Sequence, residues 1–434
     1  MLPTGLPLSE WLAWLETLSP TEINLGLQRT QRVLEALELP RPPHVLLLAG
    51  TNGKGSSVAM TDALLRASGH RTGAYTSPHI SCFNERIVVD GVAATDADII
   101  AAFEQVEAAR RGTELTYFEF GTLAAAVVFA AAKLDVWILE VGLGGRLDAT
   151  NAIDPTASLI TNVSLDHCDW LGFDVESIGF EKAGVMRPGV ATVFGDRNVP
   201  ESVVRQAEQC GAALLLAGRD YDFNVHEGGT WSWHGPSNSI EDLHPPGLLG
   251  EFQTGNAAAV LMLLEAAGLS GAVDAKLVNK VLPNVSLKGR LQRIVLDSPG
   301  SPGNEWLIDV AHNPAAAGVL AKTLADRENS GETIAIIGVL NDKDVEGVVA
   351  PLLPQVDRWI AMTPDSHRAI AANELARRIS NLAGKACLIA ESPAAAVESA
   401  RRTASENDRI LATGSFFTVS PVLEQLKRLS RTTS

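Results

Sequence analysis

An α/β protein of two domains, each organised on a mainly parallel sheet, is what this sequence predicts. Short apolar runs rich in Val, Ile and Leu alternate with helical patterns, the signature of parallel strands joined by crossover helices. Several runs end in glycine or a polar residue, the edge on which open α/β sheets bind ligands. The alternation lapses over residues 220–246 and restarts near 288, so the expected domains are residues 1–287 and a smaller one, 288–434. A chain of 434 residues agrees, because a single core seldom grows past about 250–300 residues.

Composition narrows the class. With 46% hydrophobic and 20% charged residues, this is an ordinary globular chain. A formal net charge of −16 argues against general nucleic-acid binding, which needs a basic footprint. It does not disfavour small anions, since a phosphate site is made by local donors. Cys82, Cys168, Cys210 and Cys387 lie far apart without metal-ligand spacing, and read as reduced thiols of a cytoplasmic protein. Glu10 and Glu16, with no basic start, argue against a signal peptide. The longest greasy stretch, Leu123 to Ala132, stops at Lys133, short of the roughly 20 residues a membrane span needs.

In chain order, residues 8–39 read as two helices broken at Ser19-Pro20, with Trp11, Trp14, Leu15 and Leu18 on one face. Glu22 to Leu27 contains a glycine that neither helix needs, and by composition it is a helix-entry turn. Val45 to Ala49 is an unbroken apolar run, a strand buried on both faces. Gly50-Thr51-Asn52-Gly53-Lys54-Gly55-Ser56-Ser57 follows it, and a helix is expected from Ser57 to Ser68. Strand, glycine-rich turn, lysine, hydroxyl and helix form a phosphate cradle, with amides and the helix N-terminus facing the anion. Its spacing is short: only Thr51 and Asn52 separate Gly50 from Gly53-Lys54, against four residues in the common nucleotide loop.

Arg71 to Thr76 is a second strand, leaving Ser77 at its carboxyl end before Pro78-His79. Extended residues through Asp90 precede a helix from Thr95 to Arg110 with Thr95 as N-cap. Leu115 to Gly121, aromatic and acidic together, leads into an alanine-rich helix. Val136 to Leu139 is a strand that ends in Glu140, with Gly142, Gly144 and Gly145 behind it. A carboxylate there, opposite a phosphate loop, suits Mg²⁺ better than it suits a plain surface position. Ala157 to Val163 ends in Asp166-His167, where a metal ligand and a structural histidine are equally good readings. Lys182, taken alone, is an unremarkable surface lysine. Ala191 to Gly195 is another strand, Trp231-Ser232-Trp233 marks a small β excursion, and Asn256 opens a helix to Ala267. Beyond Lys288, a hairpin pairs Ile294–Leu296 with Trp306–Val310 across a Ser/Pro/Gly/Asn turn. Strands near 333–339, 357–362, 386–390 and 408–413 then alternate with helices. Asp309 to Pro314, Asn341 to Asp344 and Gly414 to Phe417 are polar signatures readable as caps or turns, the last one preferably so.

Taken together, Gly-Thr-Asn-Gly-Lys-Gly-Ser (50–56), Ser77-Pro78-His79, the string 139–151, Leu-Asp-His (165–167), Glu-Lys-Ala-Gly (181–184) and Asp-Val-Ala-His-Asn-Pro (309–314) resemble the Mur ligase superfamily in type and order. Within it, the sequence is similar to the bifunctional dihydrofolate synthase/folylpolyglutamate synthase family over nearly its whole length. The short phosphate loop is that family's normal form. The resemblance implies an N-terminal P-loop domain of the Mur ligase central type and a smaller C-terminal Rossmann-like domain, with ATP between them. It implies that Asn52, Gly53, Lys54, Gly55 and Ser56 hold the ATP phosphates, completed by Asn256, Arg290 and Asp309, with His312 nearby. Two Mg²⁺ ions are implied, one on Ser77 and Glu140 and a second on His167, with Lys182 carbamylated into an anionic ligand. Ile23, Asn24 and Leu25, Thr116, Tyr117, Phe118 and Glu119, and Leu147, Asp148 and Ala149 would line a pterin pocket.

Asn341 and Phe417 depart from the family, which often has histidine at those places. The implied partners are ATP, L-glutamate, dihydropteroate and reduced folates, acted on by a cytoplasmic monomer with no nucleic-acid or membrane partner. A cell-wall Mur ligase would need a uridine-nucleotide pocket, against which 116–119 and 147–149 speak. A monofunctional folylpolyglutamate synthase would refuse dihydropteroate, and a nucleotide-binding module without turnover would lack a metal ligand or Lys182.

Overall fold

The most apolar strand takes the middle of the first sheet. The computed structural model describes residues 5–19, 23–296 and 304–432. Strand β1 (His44–Ala49) is buried from Val45 onward, as a strand covered on both faces must be. After it come β2 (Thr72–Tyr75), β3 (Ile87–Val89), β4 (Val92–Ala93), β5 (Val136–Glu140), β6 (Ala157–Ile160), β7 (Ala191–Phe194) and β8 (Ala213–Leu216). They make one eight-stranded sheet in the order β4-β3-β2-β5-β1-β6-β7-β8. All pair in parallel except β3 and β4, which fold back along one edge through a two-residue turn with positive φ at Asp90 and Gly91. Register sets Leu48 beside Glu140 and Tyr75 beside Leu139, so the carboxyl ends of β2, β5 and β1 lie level.

The two expected N-terminal helices are Leu8–Thr17 and Gln28–Leu37, with Trp11 and Leu15 buried. Pro20 and Glu22, in the expected break and turn between them, lie outside the described residues. Thr95 caps the helix Asp96–Arg110 as its side chain predicts. The aromatic segment does not lead into the next helix; it forms its first turn, because the helix Tyr117–Ala132 starts on a capping box. The Thr116 hydroxyl accepts from the Glu119 amide at 3.2 Å and Glu119 accepts from the Thr116 amide at 2.7 Å. Two other helices start before their expected first residue: Lys54–Ala67 instead of Ser57, and Phe252–Ala266 instead of Asn256. The β excursion is an antiparallel sheet of β9 (Asp222–Val225), β10 (Trp231–His234) and β11 (Ser239–Leu243). Alternation along β10 puts Trp231 and Trp233 on one buried face, and their indole N–H groups donate to the His244 and Ala258 carbonyls.

The second sheet holds β12 (Gln292–Val295), β13 (Glu305–Ile308), β14 (Thr333–Ile337), β15 (Arg358–Met362), β16 (Cys387–Ala390) and β17 (Arg409–Thr413) in the order β12-β13-β17-β14-β15-β16. Only β12 is antiparallel, forming the expected hairpin with β13. The turn of that hairpin, 297–303, lies outside the described residues. Phe416 opens a helix to Thr432, so Gly414-Ser415 is the strand-to-helix turn. No helix among the described residues is long and apolar enough to cross a membrane.

The chain forms two compact units: residues 1–164, 171–247 and 253–285, and residues 165–170, 248–252 and 286–434. Two short segments that precede residue 288 thus belong with the second sheet. Side-chain contacts made far along the chain, such as that of Asp166 with Lys343, place them there, and linear patterning carries no sign of these.

The amino-terminal edge of the second sheet is held by ions. Arg409, 3% exposed, donates to the carbonyls of Leu324, Arg327 and Glu328 and lies 3.4 Å from Glu305. Asp408 accepts from the Ser405 and Glu332 amides and pairs with Arg358. Arg409→Met leaves those carbonyls without their donor, and a loss of about 3 kcal/mol or more is expected. Urea unfolding followed by the fluorescence of Trp306 and Trp359 reads it; an unshifted midpoint would mean that the ion network contributes nothing.

Candidate active site

The turn after β1 is shaped by its neighbours. Gly50 has φ 143°, and a Cβ there would stand 1.8 Å from the Thr161 hydroxyl oxygen, so no other residue fits. Asn52 donates its amide to the Asn162 side chain at 3.0 Å, and its carbonyl accepts from Thr161 and Asn162. Thr51 exchanges hydrogen bonds with Ser164. The loop is thereby moored to the end of β6, and the helix starts at once with Lys54. Gly53 is its N-cap, and the first amides of a helix have no partner within it. Lys54 Nζ donates to the Gly50 and Thr51 carbonyls at 2.9 and 3.2 Å, curled over its own loop. Gly55 and the buried Ser56 are in the first turn. Asn256 packs against this turn, since a Cβ on Gly53 would meet its side-chain oxygen at 2.8 Å. Gln253 ties the two: it donates to Ser56 Oγ at 3.2 Å and accepts from Asn256 at 3.0 Å.

One strand over, the Ser77 amide donates to Glu140 Oε2 at 3.2 Å, so the expected metal pair is brought together. Glu140 is 4% exposed. His79 faces Arg86, whose Nε donates to Nδ1 at 2.9 Å. Burial first, and the guanidinium second, push the His79 pKa down to about 4. Lys182 contradicts its reading as a surface residue: it is 3% exposed, in the last turn of the helix Val175–Ala183. That turn lies on the glycines behind Glu140. A Cβ on Gly145 would stand 2.9 Å from the Lys182 carbonyl, and Arg146 bonds Glu181 through backbone and side chain at 2.8 Å each.

The three segments expected to line a pocket converge. The Gly26 amide donates to the Leu147 carbonyl at 3.4 Å, joining 23–27 to 147–149. Arg29 donates to the Asn24 carbonyl and pairs with Glu119 at 2.9 Å. Ile23 and Leu25 are half-buried and Asn24 is exposed. Phe118 lies over Gly142 and 6.0 Å from the Tyr75 ring. Tyr117 stacks edge-on against Phe83 beneath the Arg86 guanidinium, and burial pushes its hydroxyl up to about 12. Asp148, beside the buried Ala149, accepts from the Thr150 amide and hydroxyl and the Leu143 amide. Burial raises its carboxyl above the usual range despite those donors.

In the second unit, Asp309 accepts from the Leu291 and Ala311 amides at 2.8 Å each. Burial raises it, opposed most by Arg290, whose guanidinium covers the Phe416 ring. His312 Nδ1 is 2.8 Å from the Val310 carbonyl, and Nε2 is 3.5 Å from Asp166. His167 belongs to this unit too, with φ 50°, and its ring joins the Asp166 carboxylate and the His312 ring in one cluster, all ligand atoms within 4.8 Å. Asp166 accepts from Lys343 Nζ at 2.7 Å and from Asn313 Nδ2 at 2.9 Å. Burial alone would raise Asp166; His312, His167 and Lys343 outweigh it and hold the carboxyl far below its ordinary range.

Gln253, Arg29, Asp166 and Lys343 are the polar residues that sequence reading missed here. Gln253 has a signal, one helical turn before Asn256, but the late expected helix start hid it. Lys343 lay in a polar motif whose reading as a cap was satisfied by Asp344.

The chain matches the Mur ligase middle domain over residues 48–264 and the Mur ligase glutamate ligase domain over residues 289–416. It is 38% identical over 419 residues to the dihydrofolate synthase/folylpolyglutamate synthase of Escherichia coli K12, covering 96% of this chain and 95% of that one. A solved structure of E. coli FolC in complex with DHPP and ADP superposes with TM-score 0.90 at 36% identity, covering 98% of both chains. A bifunctional folylpolyglutamate synthase/dihydrofolate synthase with Mn, AMPPNP and L-glutamate bound gives TM-score 0.87 at 37% identity, again covering 98% of each. With similarity of this degree along nearly its whole length, the chain belongs to the dihydrofolate synthase/folylpolyglutamate synthase family of Mur ligases.

Proposed function

We propose that this protein is an ATP-dependent amide ligase that adds L-glutamate to dihydropteroate and to the glutamate tail of reduced folates. The observation that carries this reading is one of adjacency. The phosphate loop, the Ser77–Glu140 pair and the aromatic segment 116–119 meet around the ends of β1, β5 and β2, with Phe118 lying on the glycine that follows Glu140 and Val141. In this reading residues 1–287 are the ATP-binding ligase domain with the pterin pocket, and residues 288–434 the glutamate ligase domain. The setting is a cytoplasmic monomer acting on small molecules.

A free carboxylate is a poor acyl donor, so the γ-phosphoryl group of ATP passes to it first, and the glutamate amine then displaces phosphate to leave an amide. Asn52, Gly53, Lys54, Gly55 and Ser56 hold the phosphates through amides, ammonium and hydroxyl, and Asn256 steadies the loop beside them. Arg290 and Asp309 are our candidates for further nucleotide contacts, with His312 three residues beyond Asp309. Ser77 and Glu140 offer the hard oxygen donors that suit Mg²⁺, which when bound neutralises phosphate charge. His167 and a carbamylated Lys182 are our candidates for ligands of a second ion. Burial disfavours a charged amine, and CO₂ adds only to the neutral one, so the 3% exposure of Lys182 supports the modification. Asp148, Leu147, Ala149, Tyr117 and the 23–25 turn position the pterin, and Glu119 acts through Arg29.

ATP hydrolysis measured with dihydropteroate, with tetrahydrofolate and with neither, each with L-glutamate, tests the reading. Hydrolysis stoichiometric with glutamate addition is expected for both acceptors. Turnover only with tetrahydrofolate would make the enzyme monofunctional, and hydrolysis independent of any acceptor would end the ligase assignment. Lys54→Ala is expected to lower turnover at least about a hundredfold with the fold intact, as loss of an electrostatic group at transferring charge does. Activity within a few-fold of the parent removes the phosphate-loop role. Lys182→Ala is expected to be inactive and partly restored by added acetate or formate, whereas Lys182→Arg, which keeps its charge, is not restored. Equal responses of the two variants to formate would rule out a carbamate.

A further inference from the structure

One carboxylate in the second unit gathers more partners than its place in the sequence suggests. Asp166 and Lys343 have side chains 7% exposed. Oδ1 of Asp166 accepts from Lys343 Nζ at 2.7 Å and from the His167 amide at 2.8 Å. Oδ2 accepts from Asn313 Nδ2 at 2.9 Å and faces His312 Nε2 at 3.5 Å. Each donor is fixed from its other side. Asn313 Oδ1 caps the helix Pro314–Ala325 through the Ala316 amide, His312 Nδ1 sits on the Val310 carbonyl, and Asp344, next to Lys343, caps the helix Val345–Val349. His167 is held in left-handed backbone, which a β-substituted residue seldom adopts without support, and its amide bond to Asp166 is such support.

We propose that Asp166 and Lys343 form a positioning pair, in which the buried ion pair aims one carboxylate so that it orients the His312 ring and holds the His167 turn. Neither residue need touch substrate. Alone, the Asp166 carboxylate would have its choice of three loops; the Lys343 ammonium, which cannot leave without exposing a buried charge, selects one arrangement. A buried ion pair is a weak source of stability but a strong source of specificity when its partners are fully bonded, as they are at Asp166. This rests on the ligase reading, in which His312 stands near the nucleotide-site residues and the direction of its ring matters.

The test separates positioning from stability. Asp166→Asn and Lys343→Met each strand a buried charge or polar group and will unfold more easily. The double variant Asp166→Asn/Lys343→Met leaves no unpaired charge and is expected to recover most of the lost melting temperature. Its kcat for glutamate ligation is nonetheless expected to stay at least fivefold below the parent. Imidazole ¹⁵N resonances of His312, assigned with His312→Gln, are expected to shift in Lys343→Met and to return toward the parent in Lys343→Arg. A folded double variant with kcat within fivefold of the parent, an unshifted His312 signal, or a double variant that does not fold would each overturn the proposal. If the parent itself shows no ligation, the ligase reading fails, and the His312 resonances still decide whether the pair positions that ring.

Discussion

Everything in the first unit depends on the sheet order β2-β5-β1 at its centre. Parallel pairing brings the carboxyl ends of these strands level, and each ends in a group of different chemistry: Ser77, Glu140 and the turn Gly50–Gly53. The segments that carry them are separated by tens of residues and share nothing locally. Only the hydrogen-bond ladder puts them within reach of one another, and the Ser77 amide bond to Glu140 is the direct sign of it. Moving β5 to an edge would keep every motif intact and leave no site.

Around that centre, buried polar groups are kept in place by bonds that serve no catalytic purpose of their own. Thr161 and Asn162 moor the Asn52 carbonyl, Gln253 bridges Ser56 and Asn256, and Arg29 ties the 23–25 turn to Glu119. A buried polar atom left unbonded would cost about 1–3 kcal/mol, so such supports are required wherever reactive groups are drawn out of water. The second unit separates its tasks between the two ends of its sheet. Arg409, Asp408 and Arg358 bind the amino-terminal edge, while Asp309, His312 and Asp166 are gathered at the other end, past β13. This follows the general preference of open α/β sheets for binding at the carboxyl ends of their strands.

Local chemistry alone determined much of this protein. The apolar runs at 45–49 and 136–139 read as buried strands, because they are short, apolar throughout and bounded by turn residues. The glycine-lysine-serine turn between strand and helix reads as a phosphate cradle, and the ordered motifs identify the family. Where reading went astray, two local patterns competed: Thr116-x-x-Glu119 is a capping box, yet its aromatic neighbours read as a lead-in before the helix. Tertiary structure decided what no window of sequence contains. Lys182 looks like any surface lysine until the helix Val175–Ala183 is laid on Gly145 and buries it. Asp166 is one polar residue among many until Lys343, far along the chain, arrives at 2.7 Å. Burial and long-range pairing arise from which elements pack together, so they are set by the whole fold, whereas periodicity and turn chemistry are set residue by residue.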